Sequence, residues 1–569
     1  MGDYTTIANT KTTAKSETLQ PLLSYFYHWE ESTPDQPFLR QPVGDKWEEM
    51  SWMEAGNIVR KMVSALQAMN LPKKSNIGIV SKNCSHWILS DLAIMMSGHI
   101  SVPFYPTLND EKLNEVLVHS ECKVLFIGKL DDWDSMKNGI PPEITCITFP
   151  DSPAEQTNYH KWDVLMTEYE PYSESPVPEL DDLYTIIYTS GTTGMPKGVM
   201  HTYKNIASTI TVSADILHLN SNKNRFFSYL PLSHIAERQI VEGASIYSGG
   251  SISFVESLTT FAKNLADVKP THFLAVPRIW TKFQLGILQK MSQKKLDLFL
   301  SIPILSAYVK SKIKKSLGLN QAKLILTGAA PMPSSLLKWY IRLGIIIQEA
   351  YGMTENCGCC TLMPKYKIKI GTVGKPYPTC DIKINPKDGE VLMKSDWVMS
   401  GYYKEPDKTA EVLKKGWLHT GDMGEVDADG YLKITGRVKD QFKCTKGEFI
   451  VPGPIEANFA SNNNIEQICV VGRGLPQPVA LVVLSEIGQQ LLKENKNELI
   501  KSLEDDLTTI NASLLNHEKI QKISIMKEAW TVENNLLTPT LKIKRNILEE
   551  VYNNDLETWF NEKSAVVFA

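Results

Sequence analysis

Tyr188-Thr-Ser-Gly-Thr-Thr-Gly-Met-Pro-Lys-Gly198 packs backbone donors, hydroxyls and one lysine into eleven residues, and its reading decides how the rest of the chain is understood. Just before it, Tyr184-Thr-Ile-Ile-Tyr-Thr189 has the β-branched and aromatic content of a strand. Gly191 and Gly194 free the backbone to bend, so that successive N–H groups converge on an anion. Thr189, Ser190, Thr192 and Thr193 add hydroxyls and Lys197 adds a mobile charge, a set suited to a polyphosphate. The spacing is not Gly-x-x-x-x-Gly-Lys-Ser/Thr, because Lys197 stands between Pro196 and Gly198, and a P-loop ATPase is disfavoured. A Gly/Thr-rich surface turn is the plainer reading of the same residues, and other segments must decide.

With 569 residues the chain is too long for one core, and roughly two to four domains are expected. An apolar fraction of 43% and a charged fraction of 22% are those of an ordinary globular protein. Sixty basic against 64 acidic residues leave a net charge of -4, in which nothing suggests nucleic acid. The opening Met1-Gly-Asp-Tyr-Thr-Thr-Ile-Ala-Asn-Thr-Lys11 lacks a basic head followed by an apolar run. No stretch reaches the roughly 18 uninterrupted apolar residues of a membrane span, so a cytoplasmic location is expected. Nine cysteines, sparse and irregular, agree with a reducing compartment. Cys357-Gly-Cys-Cys360 has no second Cys/His pair at zinc-like spacing and reads as structural.

The first third alternates helices and strands. Ser51-Trp-Met-Glu54 has capping-box spacing, followed by Ala55, Ile58, Val59, Met62 and Leu66 on one helical face. Asn76-Ile-Gly-Ile-Val80, Lys123-Val-Leu-Phe-Ile127 and Lys323-Leu-Ile-Leu-Thr327 are short apolar strands. Such alternation implies parallel sheets covered on both faces, with ligands beyond the carboxyl ends of the strands, where the Gly-rich loop would lie. The segment from Lys294 to Lys315 mixes apolar residues with lysines. It reads either as a peripheral membrane contact or, the reading favoured by the break at Pro303, as a buried helix pair with a solvated basic edge. A domain junction is expected near Gly436-Arg437-Val438-Lys439-Asp440, after the turn Asp427-Ala-Asp-Gly430. Beyond it, Ile465–Val471 and Val479–Leu484 read as strands, and Leu499, Ile500, Leu503 and Leu507 as a helical stripe, making a small α+β module.

Further motifs fall in one order: Glu349-Ala-Tyr-Gly-Met-Thr-Glu355, Val398-Met-Ser-Gly-Tyr-Tyr403, Gly416-Trp-Leu-His-Thr-Gly-Asp422 and Gly436-Arg-Val-Lys-Asp440. Together with the Gly-rich loop they resemble the adenylate-forming superfamily over nearly the whole chain. Ser228-Tyr-Leu-Pro-Leu-Ser-His-Ile-Ala-Glu-Arg238, Val276-Pro-Arg278 and the ending Leu537-Thr-Pro-Thr-Leu-Lys-Ile-Lys-Arg545 are most similar to the long-chain fatty-acyl-CoA synthetases, including bacterial and bubblegum-type members. The resemblance implies an α/β multidomain fold. A large N-terminal domain, residues 1–438, would hold parallel-rich sheets flanked by helices and a β-barrel-like subdomain. A small mobile α+β C-terminal domain, residues 439–569, would turn about a hinge at Lys439. It implies fatty acid, ATP and coenzyme A as substrates and Mg2+ as cofactor. Transfer of an adenylated fatty or aryl carboxylate to a carrier protein or other acceptor is the rival activity, and a non-catalytic scaffold a third. Monomer and homodimer both stay open.

The same resemblance assigns residues. Lys542 would bridge the carboxylate and the α-phosphate, for which a compact charge on a flexible stem is apt. Glu355, with Thr189, would associate with Mg2+, Thr354 would touch the α-phosphate, and Tyr351 would stack on adenine. The nucleotide pocket would be lined by the loop residues Thr189 to Gly194, Lys197, Gly328, Ala329, Ala330, Glu349, Ala350 and Gly352. Asp422 would accept both ribose hydroxyls and Arg437 would donate to the same ribose. His234 would stand between acyl and nucleotide pockets, with a packing histidine as the alternative. Lys439 aligns with the hinge, and Lys443 with the segment that reaches the site in the second half-reaction.

Overall fold

In the structure, a computed structural model, residues 5–7, 19–189, 196–445, 447–459, 462–532, 534–538 and 542–569 are described. The strand Leu183–Thr189 lies inside an eight-stranded sheet. From Leu183–Thr189 through Ile100–Phe104, Asn76–Val80, Val124–Ile127 and Thr145–Thr148 to His160–Lys161 the pairing is parallel. Lys197–Thr202 then returns antiparallel beside Leu183–Thr189. This return brings Lys197 back opposite Thr189. Asn76–Val80 and Ile100–Phe104 are buried along their whole lengths, as strands covered on both faces must be.

A second sheet of nine strands is parallel from Gln348–Tyr351 through Leu324–Thr327, His272–Ala275, Arg225–Ser228 and Ser251–Phe254 to Pro37–Val43. At one edge of this sheet, on Pro37–Val43 and Lys46–Ser51, packs Trp52–Ala68, started by the expected capping box: Glu54 N donates to Ser51 Oγ at 3.2 Å, and Ser51 N donates to the Glu54 carboxylate at 2.7 Å. That cap satisfies donors with no intrahelical partner. Trp52 is fully buried and stacks on Phe38 with ring centroids 3.8 Å apart. Burial of a side chain of this size contributes roughly 1.5–3 kcal/mol.

The barrel-like part of the expectation corresponds to a six-stranded sheet whose pairings are all antiparallel. The C-terminal module has its own sheet, Ile465–Val471, Val479–Leu484, Lys522–Ile525 and Val566–Phe568, and a separate core in which the stripe of Lys496–Asn511 buries Leu499, Leu503 and Leu507. Lys294 to Lys315 forms two helices, Gln293–Ser301 and Pro303–Ser316, with Pro303 opening the second, where its missing N–H costs nothing. The pair is not buried as expected: only Leu296 on the first, and Ser306, Val309 and Ile313 on the second, are out of solvent. Among the described residues no helix is long and apolar enough to cross a membrane.

Candidate active site

The carboxyl ends of two parallel strands open onto one cleft. Leu324–Thr327 gives way to Gly328-Ala329-Ala330, and Gln348–Tyr351 to Gly352. At Gly352 an added Cβ would stand 2.1 Å from the Gly358 carbonyl oxygen, so only glycine fits there. Ala329 has φ +64°, a left-handed conformation uncommon outside glycine that turns the chain sharply past the strand end. Ala329 and Ala330 are exposed, while Glu349 is buried with Oε2 unpartnered among the described residues. Burial raises the Glu349 carboxyl to about 7, the Met332 backbone opposing it.

Across the cleft, the antiparallel register of Trp417–Val426 with Leu432–Arg437 sets Asp422 opposite Arg437. Arg437 Nε lies 3.0 Å from Asp422 Oδ1, and the Tyr351 hydroxyl donates to Asp422 Oδ2 at 2.7 Å. Tyr351 and Ala350, both partly buried, thus sit at the mouth with the carboxylate between them and the guanidinium.

Glu355 is the middle residue of a short turn, Thr354–Asn356, after the glycine. Its Oε1 accepts from the Tyr402 hydroxyl at 2.8 Å, and the Lys197 ammonium lies over the Tyr402 ring, 4.6 Å from its centroid. Lys197, at the foot of the Gly-rich loop, is therefore tied to Glu355 through one aromatic side chain. Thr189 Oγ1 donates to the Lys197 carbonyl at 3.4 Å. Ser190, Gly191, Thr192, Thr193 and Gly194 lie outside the described residues.

Lys542 enters from the C-terminal module. Its N–H donates to Thr538 Oγ1 at 3.0 Å and its carbonyl accepts from Thr538 N at 2.8 Å, pinning the loop that carries it. The side chain is exposed to solvent. Desolvation and then Arg437 hold its ammonium below the usual lysine range, while Asp422 and Glu355 oppose them. His234 is lowered to about 4, first by burial and then by Lys542, and is neutral at pH 7. Its Nδ1 accepts from Ala236 N at 3.2 Å, capping the turn Ile235–Glu237. Lys542 thus stands within electrostatic reach of Arg437, Asp422, Glu355 and His234. Lys443 does not join them: it is exposed, 4.7 Å from the Phe449 ring centroid, and Lys439 is exposed just past Leu432–Arg437.

Glu237, Arg238 and Arg278 stand in the motifs most similar to the long-chain synthetases, and each has a protein partner. Arg238 is buried, with Asp91 at 2.5 Å, Glu242 at 3.2 Å and Thr185 at 2.9 Å, and it braces the helix after His234 against the strand preceding the Gly-rich loop. Glu237 accepts from Tyr229 N at 2.8 Å and is raised to about 8 by burial. Arg278 pairs with Glu466, across the two modules. Trp280 is core: it is fully buried, and its Nε1 donates to the Ala275 carbonyl at 3.1 Å. Two residues went unnoticed. Tyr402 lay inside a quoted motif, but its bond to Glu355 had no sequence signal. His201, buried, has Nε2 at 2.8 Å from the Thr354 carbonyl and Nδ1 at 3.3 Å from Cys357 Sγ, so the first cysteine of the cluster supports this turn.

The fold is shared with solved adenylating enzymes. An anthranilate CoA ligase in complex with anthranoyl-AMP matches with a TM-score of 0.77 at 20% identity, covering 96% of this chain and 100% of that one. The adenylation domain of a carboxylate reductase from Mycobacterium chelonae matches at 0.79 and 21%, covering 96% and 92%. By sequence, residues 26–403 match the AMP-binding enzyme family and residues 439–564 the AMP-binding enzyme C-terminal domain. The chain belongs to the AMP-binding enzymes, among their acyl-CoA ligases. Long chain acyl-CoA synthetase 5 of Arabidopsis thaliana is 30% identical, over 89% of this chain and 85% of the relative. Long-chain-fatty-acid–CoA ligase 5 of Mus musculus is 30% identical over 85% and 80%.

Proposed function

We propose that this chain activates long-chain fatty acids to acyl-CoA. The acid's carboxylate oxygen attacks the α-phosphorus of ATP and pyrophosphate leaves, giving acyl-AMP. The sulfur of CoA then attacks the acyl carbon and AMP leaves with the bonding electrons. The observation that carries the reading is Lys542 among Arg437, Asp422, Glu355 and His234, a cationic and hydrogen-bonding cleft where two anions have to approach. Catalysis there is positional and electrostatic: Lys542 shields the carboxylate from the phosphate as charge redistributes.

Asp422, held by Tyr351 and Arg437, keeps lone pairs for ribose hydroxyls. The Gly328-Ala-Ala330 and Gly352 turns would line the adenine site with backbone, Gly352 held close against the Gly358 carbonyl where no Cβ fits. Neutral His234 would stand between the acyl and nucleotide pockets. Glu355, with Thr189, would be the hard-oxygen donor for Mg2+, which would offset phosphate charge there. With one carboxylate at the site, such an ion would be held largely by phosphate and water. The large domain would be residues 1–438 and the small one residues 439–569, turning at Lys439 and bringing Lys443 inward for the second step. The relatives named for long-chain acids support the chain length.

Mass-spectrometric product analysis after incubation with ATP, Mg2+, CoA and acids from short to very long chain tests this. Long-chain acyl-CoA is expected. Acyl-AMP accumulating without thioester would move the assignment to a different acceptor, as in the adenylating domains that share the fold, and short or aryl products would overturn the chain length.

A further inference from the structure

The helical hairpin Gln293–Ser301 and Pro303–Ser316 carries a surface that the catalytic reading does not use. Its inner edge is anchored: Leu296, Val309 and Ile313 enter the apolar cluster that contains Trp280, Phe273 and Tyr340. Its tip is not. Leu298 is 59% exposed, Ile302 46%, Ile304 88% and Tyr308 62%, four large apolar side chains gathered at one bend. Ile304 and Tyr308, four apart at the start of the second helix, share a helical face, while Leu298 stands in the last turn of the first helix and Ile302 is the extended residue joining the two.

The lysines follow the same spacing. Lys294 lies four residues before Leu298, and Lys312 four after Tyr308, with its ammonium 6.0 Å from the Tyr308 ring centroid. Each helix therefore has an apolar end at the bend and a cation eight residues further back. At 1.5 Å per residue those cations stand about 12 Å behind the tip. An interfacial apolar face sinks roughly 5–10 Å past the headgroups, so the lysines would reach phosphate level with the tip in the acyl boundary. Between Met291 and Ser316 there are six lysines and one acid. That acid, Asp297, is already engaged by Arg342 at 2.5 Å and Gln293 at 2.8 Å, leaving the patch positive.

We propose that this hairpin is a docking surface for an anionic lipid bilayer, its tip inserted shallowly and its lysines meeting lipid phosphates. The charge gradient along both helices selects this occupant over a second copy of the chain, whose identical patch would bring like charges together. The surface stands apart from the nucleotide cleft and does not depend on the acyl specificity proposed above.

Flotation of the full-length protein with vesicles tests it, using phosphatidylcholine alone and phosphatidylcholine mixed with phosphatidylglycerol. Binding to the mixed vesicles at low salt, weakened by added salt, is expected. Ile302→Asp with Ile304→Asp should lower binding about tenfold or more, and Lys294→Glu with Lys312→Glu should abolish the preference for phosphatidylglycerol. All four positions are exposed, and unchanged ATP–pyrophosphate exchange in solution would verify that the variants fold. No flotation of the parent protein, or flotation indifferent to both variants, would overturn the proposal. So would a dimer in light scattering that the tip variant dissociates, which would make the patch a self-interface.

Discussion

At the scale of single residues the strongest expectation concerns Lys542. Its surroundings combine a cation, two carboxylates and a neutral histidine, and removing one electrostatic contact of this kind typically costs 10²–10³ in rate. Lys542→Ala should therefore slow acyl-AMP formation by about that factor while thioester formation from supplied acyl-AMP persists; quench-flow on each half-reaction reads both, and equal losses would sink the assignment. A pH dependence of stability belongs here too. His201 and His272 are lowered to about 4 by burial, against about 6.5 in an unfolded chain. The unfolded state then binds more protons between those values, so stability is full above about 6.5 and falls as pH drops toward about 4, by on the order of a few kcal/mol. Denaturant midpoints at pH 7 and pH 5 should differ in that direction, with His201→Gln narrowing the gap; equal midpoints would contradict it. His201 also shows why some of the site was illegible in sequence. Its bond to the Thr354 carbonyl spans 153 positions, and nothing local distinguishes it from a packing histidine. Asp422 and Arg437 were legible only through the family motifs that carry them, and the structure adds that the strands holding them pair so that the two stand opposite each other.

Elements were easier to read where a periodic pattern met a terminal signal. Trp52–Ala68 had both, an apolar stripe and a Ser/Glu box, and it begins at the residue the box requires. Ser51→Ala should cost about 1 kcal/mol locally. Hydrogen exchange of the first-turn amides of that helix should speed up about fivefold, and unchanged exchange would show that tertiary packing, not the cap, holds the end. The helix pair after Gln293 was misread for a physical reason. Composition shows that Leu298, Ile302, Ile304 and Tyr308 are apolar, but not that the bend at Ile302 carries them away from the core. Antiparallel strands at the ends of otherwise parallel sheets were equally invisible, since pairing direction depends on what the connection does after the strand ends.

On the scale of the whole molecule, the small module contributes Lys542 beside residues supplied by the large one, and the proposed turn at Lys439 would decide which half-reaction is available. Lys439→Pro restricts φ just past the strand Leu432–Arg437, and should leave acyl-AMP formation near normal while thioester formation from acyl-AMP falls at least tenfold. If the two half-reactions fall together, rotation at that residue is not required. The Arg278–Glu466 pair has a related meaning. Both side chains are substantially solvated, 48% and 34% exposed, so the pair contributes no more than about 1 kcal/mol, or about a fivefold bias in a two-state population. That is too weak to lock the modules and strong enough to tilt them. Ionic strength then becomes a dial on the catalytic cycle: rising salt should thin the population that presents Lys542 and shift the steady-state ratio of bound acyl-AMP to released thioester downward. Glu466→Gln should imitate high salt and lose the salt response.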